Sequence, residues 1–230
     1  MRVADGIAIL EITAALPGRV MTVHPTLLWD DQTAVLVDAG FPGQLPLIQA
    51  AMAEAGLPFE RVTHVILTHS DWDHIGGLAD VVAEAPRQVE VLSSSAEKPY
   101  IQGDELLVKF PGQAPPKAPD VARAKVTRTV ADGEHLPLGG GITVIATPGH
   151  TPGHICLYHE PSRTLITGDA LNLFEGELRG PNPQFTADMA QATASLQKLA
   201  SLPLAAAICY HGGLFRGDVN GRIAALAQGV

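Results

Sequence analysis

The stretch from Thr68 to Gly77 carries four side chains that can bind a metal within six residues: His69, Asp71, Asp73 and His74. They follow an apolar, β-branched run that predicts the end of a buried strand. His69 and Asp71 are two residues apart and point the same way in an extended loop, whereas Asp73 and His74 can face a second ion just beyond them. The spacing therefore predicts two metal ions.

A helix cap is the simpler alternative for this stretch. Asp73 would then be the N-cap of a helix that starts near Ile75. A cap needs one carboxylate, however, and the stretch holds two aspartates and two histidines. Because clusters of His and Asp at ligand spacing usually bind metal, we favour the metal interpretation.

Three more side chains that can bind a metal, His150, Asp169 and His211, each follow a predicted strand. Those strands are residues 142–147, 164–168 and 205–209. In layered α/β folds the carboxyl ends of strands form the edge where ligand sites gather, so distant segments can meet in one cavity. Glycines flank all three positions and allow the backbone to turn sharply beside an ion.

The composition predicts one domain that acts on a small molecule. The chain has 230 residues, 46% of them hydrophobic, which is enough for a single domain with a complete core. A net charge of −9 opposes contact with nucleic-acid phosphates, and no basic stripe interleaved with aromatic residues is present. Cys156 and Cys209 each lie in an apolar run, where a buried thiol is expected.

The sequence also carries no membrane signal. No apolar run approaches the ~20 residues of a membrane span, and residues 1–10 lack the pattern of a secretory signal. We therefore expect a soluble, cytoplasmic protein that binds no membrane, and the sequence predicts no particular oligomeric state.

Strand and helix patterns alternate along most of the chain, which predicts an α/β protein. The predicted strands are residues 7–12, 20–29, 33–38, 62–68, 89–92, 142–147, 154–159, 164–168 and 205–209. The predicted helices are residues 44–55, 78–85, 186–200 and 218–228. Thr186 is the predicted N-cap of the third helix.

The alternation breaks between about residues 97 and 128, a proline-rich stretch that predicts irregular structure. Structureless loops of this length inside compact domains tend to be lids or binding loops. We therefore expect a lid-like insertion whose apolar side chains line a ligand cleft. Those side chains are Tyr100, Ile101, Leu106, Leu107 and Phe110.

Five motifs, in this order, resemble the metallo-β-lactamase superfamily. They are Val37-Asp38-Ala39-Gly40, Thr-His-x-x-x-Asp-His-x-Gly-Gly at 68–77, Thr147-Pro148-Gly149-His150-Thr151-Pro152-Gly153-His154, Thr167-Gly168-Asp169 and Tyr210-His211-Gly212-Gly213. The resemblance covers residues from about 7 to 215. It implies a four-layer αββα sandwich, a single domain over residues 1–230, with a dinuclear metal site at one edge of its two sheets.

The resemblance also implies a role for each ligand. By position, the first ion would be held by His69, Asp71 and His150, and the second by Asp73, His74 and His211. Asp169 would bridge the two ions. Asp38 would orient a ligating imidazole through a hydrogen bond.

Asp71 departs from the family pattern, because members usually carry His-x-His-x-Asp-His where this chain has His-x-Asp-x-Asp-His. The carboxylate adds negative charge and makes the first site harder. Zinc remains the first expectation for both ions, and manganese or iron is favoured more than at an all-imidazole site. The alternative is that Asp71 has lost its role and the first site is empty.

Four further residues are expected around the site. His24 borders the pocket, and Trp72 shields the site or lines its cleft. His154 makes a structural hydrogen bond next to the metal. Tyr210 either polarises a substrate oxygen or packs against the apolar strand before it.

Hydrolysis is the chemistry that these residues predict. Two cations about 3.5–4 Å apart can share a water, lower its pKa and polarise a carbonyl, while Asp73 passes a proton to the leaving group. We expect a dinuclear metal-dependent hydrolase that uses a metal-bound hydroxide on a small ester, lactone, thioester or β-lactam. The alternatives are an iron-dependent oxidoreductase of the same fold, a non-catalytic metal-binding relative and, against the acidic balance, a nucleic-acid phosphodiesterase.

Overall fold

The computed structural model describes residues 1–16, 18–110 and 122–229. These residues form many short β-strands and six α-helices. The strands are β1 Arg2–Ala4, β2 Ile7–Ile9, β3 Ile12–Leu16, β4 Arg19–Val23, β5 Thr26–Trp29, β6 Ala34–Val37, β7 His64–Ile66, β8 Glu90–Ser94, β9 Arg128–Val130, β10 His135–Leu136, β11 Ile142–Ala146, β12 Ile155–His159, β13 Thr164–Ile166, β14 Asn172–Phe174, β15 Glu177–Arg179, β16 Ala206–Cys209 and β17 Gly213–Phe215. The helices are α1 Leu45–Glu54, α2 Trp72–Ile75, α3 Leu78–Glu84, α4 Lys98–Gln102, α5 Met189–Ala200 and α6 Val219–Ala227.

Most strands belong to two mixed sheets. The first has the order β1-β2-β5-β6-β7-β8-β9, and its strands β6 to β9 are parallel. The second has the order β10-β11-β12-β13-β16-β17, in which β13 and β16 are parallel. Parallel neighbours need a crossover connection, and α1, the α2 to α3 pair and α5 lie in these crossovers.

The strands alternate between two cores, because successive side chains of a strand point to opposite faces. In β6, Val35 and Val37 face the layer between the two sheets, whereas Ala34 and Leu36 face the helices. In β12, Ile155 and Leu157 face the layer between the sheets, and Cys156 and Tyr158 face α5 and α6. Three apolar layers therefore separate four layers of secondary structure, and the αββα prediction is confirmed.

Two predicted strands are wrong in their extent. Residues 7–12 divide into β2 and β3 where the amide of Leu10 donates to the carbonyl of Pro25 at 2.8 Å. Residues 20–29 divide into β4 and β5 at Pro25, which has no amide hydrogen for a ladder. The strands β3 and β4 then pair only with each other, as a separate two-stranded sheet.

The predicted N-cap at Thr186 is also wrong. Helix α5 begins at Met189, and the Asp188 carboxylate accepts from the amide of Gln191 at 2.9 Å. The Thr186 side chain lies instead against His150. An aspartate nearer the helix therefore caps it, and the threonine is left for the candidate site.

The first part of the predicted lid-like insertion is regular. Residues 98–102 form α4, and Ile101 is fully buried in the core beneath the first sheet, so its predicted place in a ligand cleft is wrong. Tyr100, Leu107 and Phe110 are half-buried, and Leu106 is exposed. Residues 111–121, which hold four prolines of the predicted lid, lie outside the described residues.

Among the described residues, no helix combines the length and the apolar composition that a membrane crossing requires.

A close approach at Gly149 fixes the turn that carries His150. The amide of Asp188 donates to the Gly149 carbonyl at 2.9 Å, and the φ of Gly149 is +134°. A Cβ added at this position would overlap the backbone of Ala192 in α5. The turn can therefore dock against the helix only with glycine.

We predict that Gly149→Ala lowers the free energy of unfolding by about 3 kcal/mol, from overpacking and an unfavourable φ together. Gly133→Ala is the matched control, because Gly133 also has a positive φ, 75°, but an added Cβ meets nothing within 4 Å. It should cost about 1 kcal/mol. Urea unfolding of both variants checks this, and equal losses would contradict the importance of the contact.

Candidate metal centre

The candidate ligands gather where strands of both sheets end. His69 follows β7 in the first sheet, and His150, Asp169 and His211 follow β11, β13 and β16 in the second. The strands β11, β13 and β16 run in the same direction, so their carboxyl ends share one edge. Helix α2 begins at Trp72, which places Asp73 and His74 on its single turn.

The first group of side chains comprises His69, Asp71, His150 and Asp169, with one ligand atom from each within 4.8 Å of the others. The Nε2 atoms of His69 and His150 lie 3.4 and 3.0 Å from Oδ2 of Asp71. Nε2 of His150 lies 3.5 Å from Oδ2 of Asp169. Two imidazoles and two carboxylates therefore face one small volume.

The second group comprises Asp73, His74 and His211, again with ligand atoms within 4.8 Å of one another. Oδ2 of Asp73 lies 3.3 Å from Nε2 of His211 and 3.9 Å from Nε2 of His74. The Asp71 carboxylate precedes α2 without capping it. The helix-cap alternative for this stretch, which placed Asp73 at the N-cap, does not match α2, because Asp73 lies inside the helix.

Asp169 lies between the groups and turns one oxygen toward each. Its Oδ1 is 3.3 Å from Nε2 of His74 and 3.5 Å from Nε2 of His211, while its Oδ2 faces His150 in the first group. It contributes to both groups from a single position.

Three of the facing atoms are buried and have no hydrogen-bond partner among the described residues: His69 Nε2, His74 Nε2 and Asp169 Oδ1. Buried polar atoms without a partner are costly, because the water they lose on folding is not replaced. A divalent cation accepts electron pairs from such nitrogen and oxygen atoms, and His and Asp are common ligands. The donor set therefore fits a metal.

A buried aspartate orients two of the candidate metal ligands, His69 and His74, through hydrogen bonds. Asp38 is 1% exposed, and its Oδ2 accepts from Nδ1 of His74 at 2.9 Å and from the Thr68 hydroxyl at 2.8 Å. Because that hydroxyl has donated its only hydrogen, it accepts from Nδ1 of His69 at 3.0 Å. Nδ1 of both imidazoles therefore carries a hydrogen, so that in the neutral form of each ring the lone pair is on Nε2 and faces the site.

Thr186 orients His150 in the same way, through a hydrogen bond. The Thr186 hydroxyl donates to the carbonyl of Asn182 at 2.8 Å, so it accepts from Nδ1 of His150 at 3.2 Å. The lone pair of His150 is then on Nε2, inside the first group. The prediction from sequence missed Thr186 because its place before a helix indicated a cap.

His154 makes two buried hydrogen bonds beside the first group. Its Nε2 accepts from the backbone amide of Asp169 at 3.0 Å, and its Nδ1 donates to the Thr147 hydroxyl at 2.8 Å. Burial lowers the pKa of His154 to about 3, which keeps it neutral and able to accept. His154 therefore positions the backbone of Asp169.

The remaining surrounding residues lie beside the groups. The Tyr210 ring stacks on His74 with 3.7 Å between centroids, and its hydroxyl donates to the backbone carbonyl of Asp73. Nδ1 of His24 lies 3.0 Å from the Tyr210 carbonyl, next to His211 in the chain. The Trp72 ring packs edge to face on Phe41 at 4.7 Å, on the side of the helix core.

Opposite charges set the protonation of the second group. Burial lowers the pKa of His74, but the carboxylates of Asp38, Asp169 and Asp73 outweigh burial and hold it well above its usual value. Burial likewise lowers the pKa of His211, and the Asp169 and Asp73 carboxylates raise it to about 10. This side of the site therefore attracts positive charge.

In the first group, the pKa values of His69 and Asp71 are both lowered. Burial and the neighbouring His74 hold the pKa of His69 well below its usual value, so His69 is neutral. Burial raises the pKa of Asp71, but His69, His150 and the ammonium of Lys109 outweigh burial and hold it well below its usual value. Asp71 is therefore ionised.

Lys109 is the second residue of the site that the sequence prediction missed. Its ammonium donates to Oδ2 of Asp71 and lies 3.1 Å from Nε2 of His150. Lys109 belongs to no motif and lies 38 positions from Asp71 along the chain. No local pattern marks such a contact.

Comparison with known proteins gives the family of this chain. The family model described as the metallo-beta-lactamase superfamily matches residues 18–211. A Bacillus subtilis protein named "Probable metallo-hydrolase YflN" is 33% identical over 207 residues, which cover 77% of this chain and 75% of that protein. A hydroxyacylglutathione hydrolase of Yersinia enterocolitica is 33% identical over 190 residues, covering 80% of this chain and 59% of that protein.

A solved structure of a family member has a similar fold. The metallo-beta-lactamase family protein TTHA1429 from Thermus thermophilus superposes with a TM-score of 0.79 at 25% identity. The superposition covers 99% of this chain and 80% of that one. With its family model matched over residues 18–211, this chain belongs to the metallo-β-lactamase superfamily.

Proposed function

We propose that this chain is a dinuclear metal-dependent hydrolase that cleaves a small carbonyl compound: an ester, lactone, thioester or β-lactam. The observation that carries the proposal is the shared orientation of His69, His74 and His150. Each has its Nδ1 hydrogen bonded to a threonine or aspartate oxygen, so each directs Nε2 into one of the two groups and offers a lone pair there when the ring is neutral. Such outer hydrogen bonds fix the tautomer of metal-binding imidazoles.

The two groups of side chains support an assignment of ligands. His69, Asp71 and His150 would hold the first ion, and Asp73, His74 and His211 the second. Asp169 would bridge, since its two carboxylate oxygens face different groups. Each ion would have two imidazoles and one carboxylate of its own, a set that suits zinc. The Asp71 carboxylate makes the first group more tolerant of manganese or iron than an all-imidazole group would be.

When bound, the two ions supply an ionised water as the nucleophile and polarise the scissile carbonyl. The chain's own residues control the rest. Asp73 is 14% exposed at its side chain and lies beside His211, where it can pass a proton to the leaving group. The Tyr210 hydroxyl holds the Asp73 backbone in place, and its ring packs on His74.

A thioester is the first substrate to test, because a relative is named hydroxyacylglutathione hydrolase. Hydrolysis of a thioester needs a carbonyl beside the metals and a route for the proton to the leaving sulfur. The side chains of Asp73 and of its neighbour His211 are 14% and 27% exposed, so a proton can be delivered there. A lactone, an oxygen ester and a β-lactam complete the panel.

The experiment that tests the proposal compares two metals. The protein is freed of metal with a chelator and then loaded with zinc or with iron(II), and carbonyl cleavage is measured beside oxygen consumption. Cleavage needs no redox change, so we expect zinc to restore it and chelator to abolish it. Oxygen uptake with iron, and no cleavage of any panel substrate with either metal, would contradict the hydrolase and favour an oxidoreductase.

Two histidine variants test whether cleavage depends on the candidate metal ligands. His74→Ala removes a buried imidazole of the second group and should abolish cleavage. His135→Ala is the control, because His135 is exposed and pairs with Glu160 away from the site. It should leave both metal content and cleavage unchanged, and an equal loss in both variants would point to instability as the cause.

We further predict that Asp71→His retains two ions and shifts the first site toward zinc, since a neutral imidazole replaces a hard carboxylate. Asp71→Ala should weaken one site by at least about tenfold. Metal analysis after equilibration with equal zinc and manganese measures both effects. Asp5→His, in an exposed turn, is the control; unchanged metal content in Asp71→Ala would remove Asp71 from the ligand set.

A further inference from the structure

Lys109 extends from the irregular segment 103–110 into the first group of side chains. Its ammonium donates to Oδ2 of Asp71 and to the carbonyl of Phe185 at 3.1 Å, and it lies 3.1 Å from Nε2 of His150. The side chain is only 13% exposed. A flexible, strongly hydrated cation is therefore held among atoms that the proposed function assigns to a metal.

The contact with His150 cannot coexist with a metal on the same atom. A neutral imidazole has one lone pair, and the bond from Nδ1 to Thr186 places that lone pair on Nε2. It can accept from the Lys109 ammonium or bind a metal, but not both. A metal lies about 2.0–2.1 Å from a ligating histidine nitrogen, so it would also lie within about 5.2 Å of the ammonium.

The charges at Asp71 also make the Lys109 ammonium and a metal ion mutually exclusive. Asp71 is the carboxylate that departs from the family pattern, and it is the residue to which Lys109 donates. The ammonium neutralises that carboxylate, whereas a divalent ion in the same place would repel the ammonium. The contact and the ion are therefore alternatives for Asp71 as well as for His150.

We propose that Lys109 is an internal competitor for the first metal: its ammonium occupies the ligands Asp71 and His150, and binding of the first ion expels it together with segment 103–110. This inference rests on the proposed function, because it requires a metal at the first group. Among the described residues, Lys109 makes no hydrogen bond or ion pair with the second group, so the second ion binds without this competition. The first site is then the weaker site, and its filling releases segment 103–110.

The test measures zinc affinity and the exchange of backbone amides in one set of variants. Lys109→Met keeps most of the side-chain volume and removes the charge. Lys125→Met removes one exposed positive charge outside the site and controls for net charge. Competition titration with a chromophoric chelator gives the two zinc dissociation constants, and hydrogen exchange with mass spectrometry follows peptides from residues 103–110.

We expect Lys109→Met to lower one of the two dissociation constants by about tenfold and to leave the other unchanged, since a hydrogen bond from a charged donor no longer opposes the ion. Lys125→Met should match the wild type in both constants. In the wild type, zinc should speed exchange in residues 103–110. In Lys109→Met that exchange should be fast with and without zinc.

Equal constants in Lys109→Met and Lys125→Met would overturn the inference. A tighter constant with no zinc-dependent exchange in the wild type would overturn it too, because the ammonium would then act by repulsion alone and would not be expelled. Failure of the wild type to bind two zinc ions would instead refute the proposed metal centre. The two failures are thus distinguishable.

Discussion

The structure of the candidate site depends on the hydrogen bonds of one buried carboxylate, that of Asp38. It accepts from the backbone amide of Thr68 at 2.9 Å, from the Thr68 hydroxyl and from Nδ1 of His74. Asp38 adopts a φ of 61°, which few residues other than glycine tolerate, so the surrounding contacts must stabilise this conformation. Through Thr68 the same carboxylate also fixes His69, and one charge thereby sets the tautomer of two imidazoles.

The fold makes this arrangement possible because it delivers the ligands on rigid strand ends. The layer between the two sheets is apolar and closely packed by residues such as Val37, Ile66, Val144 and Ile166. Residues that follow these strands are held in position by them. The hydrogen bonds that Asp169 and His150 donate to His154 and Thr186 then orient these two candidate ligands. The buried atoms without partners are therefore held in place before any ion arrives, which lowers the conformational cost of binding.

Much of this could be predicted from sequence because the signals are local. His69, Asp71, Asp73 and His74 lie in one short motif, and His150, Asp169 and His211 each follow an apolar run beside glycine, so strand direction alone brings them to one edge. The αββα layers followed from the family motifs. The division of residues 7–12 into β2 and β3 depends on a contact with Pro25, which no local pattern contains.

The residues that were missed act through distant contacts. Thr186 resembled a cap, and only the packing of its hydroxyl on His150 separates that role from the one Asp188 fulfils. Lys109 carries no motif, and its long side chain reaches Asp71 from a segment without regular structure. Ile101 lay in a stretch predicted to be irregular, yet it is part of a helix whose apolar side completes the core.

Anomalous X-ray diffraction from crystals of the zinc-loaded protein, collected at the zinc absorption edge, shows directly whether two ions are bound. We expect two peaks about 3.5–4 Å apart. Nε2 of His69 should lie at coordination distance from one peak and Nε2 of His74 from the other, with Oδ1 and Oδ2 of Asp169 directed to different peaks. A single peak, or an Asp169 carboxylate that reaches neither ion, would contradict the claim that this chain forms a dinuclear centre.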